Sequence, residues 1–152
     1  MNPFAIRRVG LEDVPAIAEL FAAYRQFYQM PPEPERETLF IRTRLQASES
    51  VILLAQDTQT AEPLGFCQLY PTFCSVHLGP IFVLYDLFVA LAGRRAGVGR
   101  ALLQAAEGHA REHGALRLTL RTAKTNQPAQ ALYESNGWQC DQLFHTYSKK
   151  LT

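Results

Sequence analysis

Apolar residues recur at three- and four-residue steps from Val14 through Ile17, Leu20, Phe21, Tyr24, Phe27 and Tyr28, which predicts a helix with one buried face. Residues 4–9 read as a short strand before it, with Gly10 between the two. Pro15 is tolerated in a first helical turn, where Glu12 and Asp13 favour the positive end of the peptide dipoles. Pro31-Pro32-Glu33-Pro34 stops this helix, and a weaker one follows over residues 35–46, with Leu39 and Leu45 on one side.

The period then shortens. Val51-Ile52-Leu53-Leu54-Ala55 is a continuous apolar run bounded by polar residues, as in a buried strand. Residues 64–73 resume as a strand after a short polar turn, which suggests an antiparallel pair. Residues 81–89 are apolar on both faces, and that places a third strand inside a sheet. Val98, Leu102, Ala105, Ala106 and His109 restore the helical period over about residues 97–113, closed by Gly114. Residues 116–121 alternate as a half-exposed strand does, and Ala129, Leu132 and Tyr133 mark a last helix ended by Asn136-Gly137. Trp138-Gln139-Cys140 and residues 143–148 predict two final strands. The order β-α-α-β-β-β-α-β-α-β-β describes one mixed α/β domain over residues 1–152.

Composition narrows the function classes. Hydrophobic residues make up 47% of the 152 and charged ones 19%, which is globular and not disordered. Fifteen basic against fourteen acidic residues leave +1, which argues against a nucleic-acid-binding surface as the main activity. The longest apolar tract, residues 81–92, is interrupted by Asp86 and falls short of the ~20 residues of a membrane span. Cys67, Cys74 and Cys140 form no CxxC pair, and Met1-Asn2-Pro3-Phe4 begins no secretory pattern, so reduced thiols and a cytoplasmic location are expected. The histidines and cysteines show no metal spacing.

The most informative stretch runs from Leu87 to Leu103, where a buried strand feeds a loop with Gly97 and Gly99 and a helix begins at once. Unpaired backbone N–H groups at a helix start favour an anion, and glycines let a phosphate approach the main chain. Arg94, Arg95 and Arg100 add fixed charge. A P-loop needs Gly-Lys-Ser/Thr, but Gly99 is followed by Arg100-Ala101. A dinucleotide fingerprint needs a third glycine where Leu102 stands. Neither motif fits, and a tight turn remains the plain alternative.

Arg94-x-x-Gly97-x-Gly99 resembles the acetyl-CoA pyrophosphate loop of the GNAT superfamily of N-acetyltransferases, and the run from Asn126 to Trp138 resembles that family's second motif, Asn-x-x-Ala-x-x-Leu-Tyr followed by Gly and an aromatic. The resemblance covers about the whole chain. It implies a mixed, mostly antiparallel central sheet flanked by helices, with a splayed central strand pair that holds acetyl-CoA as co-substrate. Leu87, Phe88 and Val89 would offer backbone to the pantetheine arm; Arg94, Arg95, Ala96, Gly97, Val98, Gly99 and Arg100 would receive the pyrophosphate. Asn126 would touch the cofactor, although a plain helix cap is an equal reading. Tyr133 matches the family tyrosine that protonates the departing thiolate.

The base is where this chain departs from the family. Many members carry a glutamate on the central strand, but Val83 and Tyr85 occupy the expected positions here. Asp86 is the nearest carboxylate, and strand alternation sets it on the opposite face from Tyr85, so it stands as the candidate base beside water-mediated deprotonation. The Asp86-Leu87-Phe88-Val89 run occurs in members that acetylate polyamines or basic protein tails. Tyr24, Phe27 and Tyr28 form an aromatic wall, and Glu33, Glu35 and Glu37 cluster just beyond it, a combination suited to a cationic amine; a solvated helix start explains the glutamates equally well. Tyr24, Tyr28 and Glu33 are therefore the substrate-binding candidates, with His77 and His145 as further pocket residues. A small primary amine is the expected partner, a basic peptide or protein tail the second reading, and a silent acyl-CoA-binding regulatory domain a third. A homodimer is expected, because Phe144, His145 and Tyr147 would lie on a terminal edge strand that needs covering.

Overall fold

The apolar runs become the inner strands of a five-stranded sheet in a computed structural model that describes residues 3–152; Met1-Asn2, where the secretory reading began, lies outside the described residues. The chain divides into two units between Arg121 and Thr122, and the sheet belongs to the first. Its strands are β1 (Phe4–Arg8), β2 (Val51–Asp57), β3 (Pro63–Cys74), β4 (Gly79–Val89) and β5 (Leu118–Thr119), in that spatial order. The first four pair antiparallel, while β4 and β5 run parallel through Phe82↔Leu118 and Val83↔Thr119. That pairing ends at Val83, so residues 84–89 have no partner strand on that side among the described residues. The mixed, mostly antiparallel sheet with a splayed central pair is the architecture that the family resemblance implies.

Three helices cover the sheet: α1 (Val14–Phe27), α2 (Pro34–Gln46) and α3 (Val98–Glu112). Val14, Ile17 and Leu20 of α1 and Ile41 of α2 pack with Ile52, Leu54 and Phe66 of the sheet. Val98, Leu102, Leu103, Ala106 and Ala110 form the buried stripe of α3. Burial on both faces explains the unbroken apolar run of β2. Arg7 holds the Asp13 carboxylate at 2.9 and 2.6 Å, and the Gly10 N–H donates to the same carboxylate at 2.9 Å, which fixes the entry into α1. The bonds from Arg7 hold the Asp13 carboxyl below its usual range. Burial pushes the Cys67 thiol up to about 12, so it stays an inert core thiol.

The second unit contains α4 (Gln127–Ser135). The Asn126 side chain caps it, accepting from the Ala129 N–H at 3.2 Å, and Gly137 leaves it at φ +87°. Two expectations are corrected. Strand β5 spans two residues instead of 116–121, because alternation marks a face while a ladder needs a neighbour, and the β4–β5 pairing ends at Val83 and Thr119. Residues 138–152 form no strand among the described residues: Leu143, Phe144 and Tyr147 are 86%, 79% and 91% exposed, and the Leu143 N–H turns back to Asp141 at 3.0 Å. The terminal edge strand on which the homodimer expectation rested is therefore missing.

Candidate active site

A bulge organises the centre of the sheet. Strands β3 and β4 keep register from Gly65↔Val89 to Gln68↔Asp86, after which Leu69 faces Leu84, so that Tyr85 is an extra residue on β4. Gln68 and Tyr70 lie two apart on β3 and share a face. Gln68 donates Nε2–H to Asp86 Oδ2 at 2.6 Å, while the Tyr70 and Tyr85 rings meet edge-on at 5.4 Å. Asp86 and Tyr85 thus converge on one face. This corrects the alternation argument that separated them, since an extra residue resets the two-residue period.

Asp86 is only 4% exposed, and Gln68 is fully buried with Oε1 left without a partner. Burial raises the Asp86 pKa above the usual carboxylate range; hydrogen bonds from Gln68 and from the Tyr24 hydroxyl oppose that rise without cancelling it. Burial first, then the charge of Asp86, pushes the Tyr24 and Tyr70 phenols up, so both stay protonated; Arg44 partly offsets the shift at Tyr70. The Tyr24 ring stands 5.1 Å from Tyr28, 5.9 Å from Phe66 and 6.1 Å from Phe88, edge-on to each. Tyr28 is 49% exposed, so the wall runs from solvent to the buried carboxylate. Gln68 and Tyr70 were not among the sequence candidates. A glutamine inside the apolar run Leu64 to Leu69 was the signal that could have found the first.

Glu33 lies apart from this cluster. Its carboxylate accepts from Arg36 and from Arg25, the latter at 3.2 Å, and the arginines hold its pKa low, Arg36 foremost. Arg25 also binds buried Glu37, so the acidic cluster of residues 33–37 is largely matched by local cations. His77 sits in the turn between β3 and β4.

At the end of β4, Leu87, Phe88 and Val89 are half-buried, beside the side from which β5 has departed. Arg94 donates Nε–H to the Val89 carbonyl at 3.1 Å, tying the next loop to the strand end. A Cβ at Gly93 would meet the Leu64 carbonyl at 2.8 Å, so only glycine lets the loop lie this close to β3. Arg95 (φ +61°) and Gly97 (φ +81°) then turn the chain through the left-handed region into α3. No side chain caps that helix, and its first intrahelical bond from the loop is Ala101 N–H to the Gly97 carbonyl at 3.0 Å. The N–H groups of Val98, Gly99 and Arg100 precede that bond and lack an intrahelical acceptor. Arg94, Arg95 and Arg100 are exposed beside them, with Ala96 half-buried. A phosphate-bearing ligand fits this loop, because the donors, the positive end of the helix and three guanidinium groups all favour an anion.

Asn126 and Tyr133 belong to the second unit. The Asn126 side chain serves as the α4 cap, and the half-buried Tyr133 ring lies 6.1 Å from Trp138. His145 belongs to the same unit, its ring 6.4 Å from Tyr147. Among the described residues, no group of three or more His, Cys, Asp or Glu could hold a metal, and no helix is long and apolar enough to cross a membrane.

Residues 15–138 match the acetyltransferase (GNAT) family. The chain is 44% identical over 142 residues to an uncharacterized N-acetyltransferase of Bacillus subtilis, covering 93% of this chain and 94% of that protein. It is 28% identical over 142 residues to a D-amino-acid N-acetyltransferase of Saccharomyces cerevisiae, covering 92% and 88%. The crystal structure of a probable acetyltransferase superposes with a TM-score of 0.93 at 41% identity, over 97% of this chain and 98% of that one.

Proposed function

We infer the function from one premise: the chain belongs to the acetyltransferase (GNAT) family. It is an acetyl-CoA-dependent acyltransferase. The proposal is that residues 1–152 act as one domain that acetylates the primary amine of a small cationic molecule by direct transfer in a ternary complex. The observation that carries this reading is the buried Asp86 carboxylate at the inner end of an aromatic wall, where a carboxylate and ring faces both attract an ammonium. Tyr24 and Tyr28 supply those faces. Glu33 stays outside this set, since Arg25 and Arg36 already match its charge.

Bound acetyl-CoA supplies an acetyl thioester. The backbone N–H groups of residues 95–100, with Arg94, Arg95 and Arg100, hold its pyrophosphate, and the main chain of Leu87, Phe88 and Val89 orients its pantetheine arm. Asn126 and Tyr133 are carried over from the motif, the first as a cofactor contact and the second as the acid that protonates sulfur.

The test is CoA release from acetyl-CoA with diamines, amino alcohols, amino acids and neutral or acidic amines. Diamines and amino alcohols are expected to give the highest kcat/KM. The relative named for D-amino acids makes zwitterions the first comparison class. Preference for acidic acceptors would overturn the cationic reading. The cofactor loop is tested separately by Gly97→Val. A branched side chain at φ +81° is strained, and its Cβ, which meets nothing within 4 Å, would stand in open space off the loop. Acetyl-CoA affinity is expected to fall ~10-fold or more in calorimetry, each tenfold being about 1.4 kcal/mol, with the circular dichroism spectrum unchanged.

A further inference from the structure

The polar pair at the centre of the sheet is set into an apolar face. In the β3–β4 register Phe66 stands opposite Phe88 and Gln68 opposite Asp86, so the two pairs lie side by side, and the bulge follows at once. Phe66 belongs to the core with Ile17 of α1 and Ile41 of α2, and beyond the bulge the Tyr70 and Tyr85 rings meet at 5.4 Å. Gln68 is fully buried between these aromatic pairs. It donates Nε2–H to Asp86 Oδ2 at 2.6 Å, while its Oε1, equally buried, has no partner.

Packing does not call for an amide at this position. Methionine has the same length and would leave no acceptor unpaired, and a buried unpaired acceptor is unfavourable. What the amide supplies is a donor aimed at a carboxylate that burial alone would neutralise. We propose that Gln68 is a positioning residue of the acetyl transfer, holding the Asp86 carboxylate charged and oriented for the acceptor amine. Gln68 touches no reacting atom and acts through Asp86. There, one N–H bond of the ammonium breaks, its proton bonds to the carboxylate, and the nitrogen keeps the electron pair with which it attacks the thioester carbon. Asp86 later returns the proton to solvent. The ionisable groups that feel the Asp86 charge are Tyr24 of α1 and Cys67 and Tyr70 of β3. Tyr28 adjoins Tyr24, Tyr85 adjoins Tyr70, Arg44 of α2 acts on Tyr70, and the buried Glu37 of α2 is bound by Arg25. Burial, the largest cause, pushes Tyr24, Cys67 and Tyr70 up, so all three stay protonated across the acid range.

The inference rests on the proposed acetyl transfer to amines. It is tested by kcat/KM against pH for the wild type, Gln68→Met, Gln68→Glu and Asp86→Asn, with the best amine of the panel. Methionine keeps the length and deletes the donor. Glutamate keeps the shape but sets a second carboxyl against the first, and two carboxyls in contact hold a shared proton to higher pH. The acid limb of the wild-type profile should move to higher pH in Gln68→Met, move further in Gln68→Glu and be absent in Asp86→Asn. On that limb Gln68→Met should lose about 10-fold, the scale of one hydrogen bond to a charged group, and the loss should shrink as pH rises past both limbs. Carbon-13 NMR of the Asp86 carboxyl, without substrate, should show it titrating at higher pH in Gln68→Met than in the wild type. Should Gln68→Met fail to fold, the limb of Gln68→Glu decides alone. A wild type that acetylates no amine overturns the functional reading and this role with it. An active wild type whose limb stays in place in the Gln68 variants, or variants slowed equally at every pH, makes Gln68 a packing residue and overturns this inference alone. A limb that survives in Asp86→Asn overturns it too.

Discussion

Replacing Tyr133 with phenylalanine is expected to lower kcat by about 10²–10⁴-fold and leave KM for acetyl-CoA nearly unchanged. Charge develops on sulfur as the acetyl group leaves, and a phenol can donate its proton at that moment. The substitution keeps the ring that lies 6.1 Å from Trp138 and the backbone bond from the Trp138 N–H to the Tyr133 carbonyl at 3.1 Å. The melting temperature, measured alongside, separates lost chemistry from lost packing. Pre-steady-state measurement of the transfer step is the deciding readout, because slow product release would mask a loss in kcat. Transfer at the original rate in the phenylalanine variant would make Tyr133 a packing residue. The acid would then have to be another group.

Most elements from Phe4 to Glu112 were legible from their pattern: steps of three and four residues in α1 and α3, an unbroken apolar run in β2, and a run in β4 interrupted by Asp86 alone among charged residues. The Gly97 turn was legible for a related reason, since a strand that feeds a helix through glycine leaves few backbone solutions. The site was less so. Alternation placed Asp86 opposite Tyr85, but register is a property of two strands, and the bulge becomes visible only when β3 is set beside β4. The acidic cluster at Glu33 and Glu37 pointed to a cation site, yet Arg25, eight and twelve residues away in sequence, already binds both. Residues 143–148 show the converse failure. Their alternation is genuine, but without a partner ladder it makes no strand.

Asp86→Asn is expected to raise the melting temperature at pH 7 while it removes most of the acetyl transfer. Burial raises the folded-state pKa of Asp86 above the unfolded value of about 3.9. As pH rises, the unfolded chain therefore ionises this side chain first. The folded state loses stability from about pH 4 up to the folded pKa, and the deficit is constant above that. Asparagine keeps an acceptor for the Gln68 Nε2–H, now 2.6 Å from Asp86 Oδ2, and never ionises. The variant's advantage should be full at neutral pH and shrink toward pH 3, where the aspartic acid is neutral in both states. Thermal unfolding of both proteins across this range reads the sign directly. A variant that melts lower at pH 7 would mean that the bonds from Gln68 and Tyr24 outweigh desolvation, and that Asp86 is held as a structural anion. A gain in stability together with a loss of turnover is the combination that a buried proton acceptor requires, because the same burial that strains the folded chain makes the carboxylate a stronger base.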